Sequence, residues 1–462
     1  MVNIFSLFTK RAKSFCTDNS GSIMVYVSLA VIPIIGFIGV AIDSARGYMV
    51  RSHLVESLDA AALAAGRSLT QEAIQTDVTR FFELNFKDNY MGAALIGPTA
   101  TYNPDDNTII VTASAEINTT FMGIFGHETL NISSSTTITR DTRGMELVLI
   151  MDNTGSMQHN DKLETMKSSA QNLIEILYGE EETLDDFWVS VVPYSASVNV
   201  GNENFDWLQN YDPSAYNPTV WKGCVEAREA PYDQDDTVPN DQLFDPYFYP
   251  FSLYDNYWIT VREGFDWGYY QRGPNKSCGQ AIQPLTANRS DIDEALEDMV
   301  YWDGGGTLGN LGLVWGWRTI SPKWRGLWQD TDVSLPLDYN TKQMDKVAIM
   351  LTDGVNQFVP GWVDGSDYTA YGRIGWERLG TSSTSEGADI IDGRLSTVCE
   401  AMKEEGIILY TITFQLSDED TQDLYRNCAT SENHYFNSPS NDELRETFIR
   451  IGTALSNLRI SN

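Results

Sequence analysis

The 462 residues are more than one ordinary core organises, so two or three folded units are expected. With 64 acidic against 31 basic residues the formal charge is −33, which repels a phosphate backbone and excludes nucleic acid as a partner. Hydrophobic residues at 42% and aromatics at 11% supply packed cores and exclude a disordered chain.

The first apolar element sets the compartment. Residues 21–42, "GSIMVYVSLAVIPIIGFIGVAI", carry no charge and as a helix extend about 33 Å, enough to cross a hydrocarbon core. The run is longer than a signal core and no small-x-small cleavage site follows, so a retained single span is predicted. Lys10, Arg11 and Lys13 precede it with only Asp18 against them, which keeps residues 1–20 in the cytoplasm and places the bulk of the chain outside it. Cysteine usage agrees with an oxidising exterior. Cys16 falls inside, leaving Cys224, Cys278, Cys399 and Cys428 as an even set with three possible pairings. Cys224 and Cys278 share one irregular region while Cys399 and Cys428 flank one predicted strand, which favours the two local bridges. The histidines His53, His127, His159 and His434 are scattered, and no cysteine pair has zinc-knuckle spacing.

Helical periodicity continues past the span, with Val50, Leu54, Leu58, Ala61, Ala62 and Ala65 on one face. A second helix over 70–86 places Ile74, Val78, Phe81 and Phe82 on one stripe. The period then changes to two: Ile109, Val111, Ala113, Ala115 and Ile117 alternate with polar residues after the turn "NPDDN", and Leu130, Ile132 and Ile138 repeat the pattern. Residues 43–142 therefore read as a helical stem with a small sheet, an α+β unit next to the membrane.

From Met145 the pattern becomes continuous apolar strands separated by helices: "MELVLIMD", a helical stretch through Met166, Ala170, Leu173, Ile174 and Leu177, then "WVSVVPYSASV", "DKVAIMLTD", a helix near 388–404, "GIILYTITF" and a helix near 441–457. Such alternation predicts an α/β fold with a doubly wound, mostly parallel sheet over 145–460, whose ligands sit beyond the carboxyl ends of the strands. Asp152 and Asp353, each closing a strand, should meet on one rim. Asp152, Thr154 and Ser156 alternate along the loop "DNTGS", so their oxygens can converge, with Gly155 allowing a tight turn. "DGGGTLG" adds Thr307 ahead of a helix. Hard oxygen ligands suit a divalent cation, Mg²⁺ foremost, with Mn²⁺ or Ca²⁺ as substitutes. Helix capping by Thr154 or Ser156 is the structural alternative.

Asp152-x-Thr154-x-Ser156, Thr307 and Asp353 together resemble the metal-ion-dependent adhesion site of von Willebrand factor type A domains. The resemblance implies that Thr154, Ser156 and Thr307 approach the metal most closely, that Asp152 and Asp353 act through water, and that an open position accepts a partner's carboxylate. Thr154 stands where serine is commoner, and the hydroxyl survives. Residues 21–69 are similar to the start of TadE/TadG-like proteins of the Flp, or tight-adherence, pilus system, and the joined architecture resembles the TadG-like members. Tyr26 stands where processed members carry Glu, which favours an unprocessed anchor.

Residues 202–290, rich in Tyr, Trp, Asp, Asn and Pro as in "DPYFYPFSLYDNYW", fit no regular period and read as an irregular insertion, either a binding element or a local core. Catalysis lacks support: neither aspartate has a His, Lys or Cys partner at motif spacing, no Walker loop is present, and "GTSSTSEG" is no nucleophile elbow. The reading is an envelope-anchored, metal-dependent protein-binding subunit for pilus assembly or adhesion. Its partners would be pilus or secretion components. A metal-dependent hydrolase and a structural envelope spacer with a degenerate site are the rivals.

Overall fold

The computed structural model describes residues 22–66, 71–103, 108–139, 143–258, 272–329 and 331–459. The basic flank Lys10, Arg11 and Lys13, with Cys16, and the turn residues 104–107 lie outside them. The chain divides into two compact units, one ending at Asp141 and the other running from Thr142 to Ser461.

In the first unit, helix α1 (Ser22–Ala65) runs unbroken for 44 residues with Pro33 inside it. Proline forfeits one backbone hydrogen bond, a loss that an apolar helix tolerates better than a break in direction. Its apolar part, of mean hydropathy 2.5, is almost wholly exposed, and among the described residues this is the one helix long and apolar enough to cross a membrane. The C-terminal half behaves differently. Val50, Leu54, Leu58, Ala61, Ala62 and Ala65 are fully buried, packed with Ile74, Val78 and Phe82 of α2 (Gln71–Asn85). Strands β1 (Ala93–Asn103), β2 (Thr108–Asn118) and β3 (Thr129–Thr139) form an antiparallel sheet in that order. The alternating Ile109, Val111, Ala113, Ala115 and Ile117 of β2 close the core against the helices. Each large aliphatic chain so buried contributes about 1.5–3 kcal/mol, so a charge at Leu54 would break the unit.

The second unit is built on a six-stranded sheet. Its elements in chain order are β4 (Gly144–Asp152), α3 (Lys162–Tyr178), β5 (Phe187–Tyr194), β6 (Val198–Asn199), β7 (Cys224–Val225), β8 (Gln283–Thr286), α4 (Arg289–Glu297), β9 (Gly306–Thr307) and α5 (Gly309–Ile320). They continue with β10 (Met344–Thr352), β11 (Gln357–Phe358), α6 (Thr384–Glu404), β12 (Ile408–Phe414), α7 (Glu419–Cys428), β13 (Tyr435–Ser438) and α8 (Asn441–Arg459). The sheet order is β13-β12-β10-β4-β5-β8, parallel throughout except for β8, which runs antiparallel along β5. Strand β4 is buried at every position, as a central parallel strand covered on both faces must be. Leu147, Leu149 and Met151 face one layer, with Met166 and Leu173 of α3 and Phe448 and Ile451 of α8. Val148 and Ile150 face the other, with Val314 of α5, Leu395 of α6 and Tyr425 of α7. This is the doubly wound, von Willebrand factor type A-like arrangement, and it carries both aspartates to one rim. Helix α3 stops where Gly179 takes a φ of 61° and its N–H returns to Glu175 O at 2.8 Å.

The insertion between β5 and β8 adds to the core. Trp207, Tyr216, Trp221 and Phe244 are buried in one cluster with Trp315, Trp324 and Trp328. Trp207 meets Trp324 and Trp328 edge-on, with ring centroids 5.3 and 5.2 Å apart.

Candidate metal centre

At the end of β4 the Asp152 carboxylate is fully withdrawn from solvent, and the hydroxyls of Thr154 and Thr352 turn toward it. Oδ1 accepts from the Thr154 N–H at 2.9 Å and the Thr154 hydroxyl at 2.7 Å, while Oδ2 accepts from Thr352 Oγ1 at 2.9 Å. Thr154 Oγ1 lies 3.0 Å from Ser156 Oγ, and Ser156 Oγ donates to Asp353 Oδ1 at 2.5 Å. Asp152, Thr154, Ser156 and Asp353 are thus one hydrogen-bonded string spanning two adjacent parallel strands. Burial first, and the Asp353 charge second, push the Asp152 carboxyl up to about 7 despite the hydroxyls.

Thr307 reaches this group by a separate route. Its segment β9 pairs antiparallel with β11, Gln357 opposite Thr307 and Phe358 opposite Gly306, so the glycine-rich loop is tied to the chain leaving Asp353. A Cβ built on Gly354 would stand 3.9 Å from both Ser156 Oγ and Thr307 Oγ1, so the two hydroxyls border one small space. Asn356 Oδ1 accepts from Gly309 N at 2.8 Å and fixes the start of α5 beside it. The Gly305 N–H donates to Asp367 Oδ2 at 2.9 Å, a further tether on the same loop.

Capping is not how Thr154 and Ser156 spend their hydroxyls: Thr154, which leads the short 3-10 turn 155–158, makes no side-chain cap bond. Gly155 is needed for space and not for a left-handed turn. It is absent from the positive-φ positions, and a Cβ there would collide with Asp303 Oδ1. Asp303, which the sequence reading passed over inside "DGGGT", therefore lies against the Asp152 loop.

Lys162 joins the site from a distance in sequence. No His, Lys or Cys partner stands at motif spacing from either aspartate, but across the fold the ammonium of Lys162, first residue of α3, donates to Asp353 Oδ2 at 2.8 Å with both side chains nearly buried. The contact spans 191 positions, so no local motif spacing could signal it.

The donor set is chemically consistent with a hard divalent cation, since all five residues present oxygen. Among the described residues no three His, Cys, Asp or Glu side chains gather to hold a metal, so an ion here would depend on the hydroxyls. Away from the rim, Cys224 is bonded to Cys278 and Cys399 to Cys428. The first bridge closes the insertion around Tyr247, Tyr249 and Tyr368, and the second joins α6 to the end of α7.

Residues 21–68 match the Tad family model, described as Flp pilus-assembly TadE/G-like. The amino-terminal helix is therefore a TadE/G-like segment, joined in this chain to a type A-like unit. None of the curated proteins matches the chain. Among solved structures it is similar to the pilus adhesin SpaC from Lactobacillus rhamnosus GG, at 12% identity over 81% of this chain and 36% of that one, with a TM-score of 0.37. The chain thus spans about a third of SpaC. It is also similar to the vWF domain of the type V pili tip protein Mfa5 from Porphyromonas gingivalis, at 11% identity over 70% of this chain and 97% of that one, with a TM-score of 0.36. A von Willebrand factor type A protein from Catenulispora acidiphila gives 12% identity over 78% and 49%, with a TM-score of 0.30. These overlaps are loose, and the fold is read from the strand order above.

Proposed function

We propose that the chain is an inner-membrane-anchored subunit whose type A-like unit, outside the cytoplasm, binds a protein partner through a divalent cation during Flp pilus assembly or surface attachment. The observation that carries this reading is the convergence of Asp152, Thr154, Ser156 and Asp353 in one hydrogen-bonded string, with Thr307 at its edge. Oxygens from three separate loops, gathered at the carboxyl end of a parallel sheet, form a site for a hard cation whose remaining coordination a partner carboxylate can complete. The TadE/G-like segment supports the pilus context, and two disulfides support an oxidising compartment. Binding and not turnover is proposed, because the TadE/G-like segment gives the chain an assembly context and the Ser156 hydroxyl and Asp353 carboxylate, a close hydroxyl–carboxylate pair, belong to the proposed ligand set itself.

Lys162 favours a second reading, a structural spacer with a degenerate site, since its ammonium already neutralises Asp353. Calorimetric titration of the detergent-solubilised chain with Mg²⁺, Mn²⁺ and Ca²⁺ separates the two. Saturable binding lost in Asp353→Ala supports the adhesion site, and no heat from any cation leaves the spacer. Pull-down from envelope extracts with magnesium or with chelator then reads the partner. Equal recovery in both, by folded wild type and Asp353→Ala alike, overturns metal-dependent binding.

A further inference from the structure

The β2–β3 connection carries "FMGIF", Phe121 to Phe125, a run without charge whose Ile124 and Phe125 are 77% and 59% exposed. Large apolar side chains displayed together on a loop tip call for a partner. The loop folds back along α1 and meets it at two glycines. A Cβ on Gly36 would stand 2.9 Å from the Phe125 ring, and one on Gly39 would collide with Phe121. Both glycines belong to the uncharged part of α1. Asp43 is the first charge after it, and at helical rise Gly39 and Gly36 stand about 6 and 10 Å on the apolar side of that charge.

We infer that Phe121–Phe125, held against Gly36 and Gly39 of α1, is inserted into the outer-leaflet boundary of the lipid bilayer that this helix crosses. The inference rests on the reading of α1 as a retained span. If Gly36 and Gly39 lie in the membrane, the loop touching them lies there too, at the roughly 5–10 Å depth that interfacial apolar segments reach. Its backbone is prepared for low polarity. Asp43 accepts from the N–H groups of Thr120 at 3.1 Å and of Phe121 and Met122 at 2.8 Å, and within the loop Ile124 N returns to Phe121 O, Gly126 N to Gly123 O and His127 N to Met122 O. Amides satisfied by the protein itself carry a smaller desolvation cost in lipid. Arg46, one turn beyond Asp43, binds Met91 O at 2.8 Å and Thr120 Oγ1 at 3.2 Å, which sets a cation at headgroup level where the connection leaves the apolar zone. The loop would thereby fix the stem's tilt against the membrane plane, which a lone helix cannot do.

Lipid photo-crosslinking of the full chain in phosphatidylcholine–phosphatidylglycerol vesicles tests this. A diazirine-bearing phenylalanine analogue replaces Ile124, Ile32 in the span, or Ile110 on the exposed face of β2, about 27 Å from that strand's membrane-side end. Phospholipid adducts at positions 32 and 124 with none at 110 are expected. Adducts at 32 alone overturn the loop's insertion while sparing the span, and protein adducts in place of lipid at 124 assign the patch to another chain. Absence of lipid at 32 overturns the span reading and the inference with it. In Gly39→Leu, whose side chain displaces Phe121, lipid capture at 124 should be lost while capture at 32 persists. Unchanged capture at 124 would show that contact with α1 does not seat the loop.

Discussion

Lys162 Nζ donates to Asp353 Oδ2 across 2.8 Å, so the chain's own cation sits beside the oxygens proposed for a metal. The two cations compete for one carboxylate. In Lys162→Met, Mg²⁺ affinity should rise about tenfold, equivalent to relieving roughly 1.4 kcal/mol of repulsion. With chelator present the same variant should melt earlier, because removing one partner of a buried pair costs about 3–5 kcal/mol. Calorimetric titration and paired thermal melts read both effects. Unchanged affinity would show that Lys162 leaves the site without cost.

Ser156 Oγ joins Thr154 to Asp353, so Ser156→Ala cuts the string in its middle. An ion bound only to the folded chain stabilises it by about 2.7 kcal/mol at one hundred times its dissociation constant. Wild type should gain that stability on adding Mg²⁺, and Ser156→Ala should gain much less while keeping its metal-free melting point within a few degrees. An equal gain in the two proteins would remove Ser156 from the ligand set.

The bridges Cys224–Cys278 and Cys399–Cys428 span 54 and 29 positions. Loop closure gives about 4 and 3.5 kcal/mol of stabilisation respectively in the chain-entropy account. Replacing Cys399 and Cys428 together by Ala should lower the urea midpoint by the corresponding amount, and non-reduced peptide mass spectrometry should find these two pairings alone. A crossed pairing would contradict the fold of the insertion.

What the sequence disclosed depended on periodicity. The 3.6-residue stripe from Val50 to Ala65, the alternation from Ile109 to Ile117 and the apolar run Leu147–Met151 of β4 each declare their burial locally, and the structure buries them accordingly. Asp152 and Asp353 were legible as strand ends because an apolar run stopping on a carboxylate is a local signal. Lys162 was not, since it opens a helix and its partner follows a strand 191 positions on, a contact that leaves no local trace. The insertion was illegible for a different reason. Trp207, Tyr216, Trp221 and Phe244 enter the core from turns and short 3-10 segments, so no period announces which of its aromatics are inside. Strand β8 runs along an edge for only four residues, too few to show a pattern.

Asp367 links the insertion to the loop of Thr307, and its charge should make that link sensitive to acid. Burial alone would raise its carboxyl. The Lys276 ammonium, the Tyr249 hydroxyl and the N–H groups of Gly305 and Tyr368 outweigh burial and hold it below the ordinary carboxylate range. A carboxyl lowered on folding binds its proton more readily when unfolded, so its stabilisation is complete above the unfolded value near 3.9 and is lost as pH falls through the folded value. Charge-assisted hydrogen bonds of this kind are worth about 1.5–3 kcal/mol. Asp367→Asn keeps an oxygen for Gly305 but removes the charge. Urea unfolding should therefore find the variant about 2 kcal/mol less stable than wild type at pH 7 and at pH 5, with the gap closing toward pH 3 as wild type protonates. Metal titration of the variant should show weaker Mg²⁺ binding at pH 7, because the glycine loop that presents Thr307 loses its charged tether. A stability gap that stays constant down to pH 3 would mean that the loss comes from shape and not from the Asp367 charge.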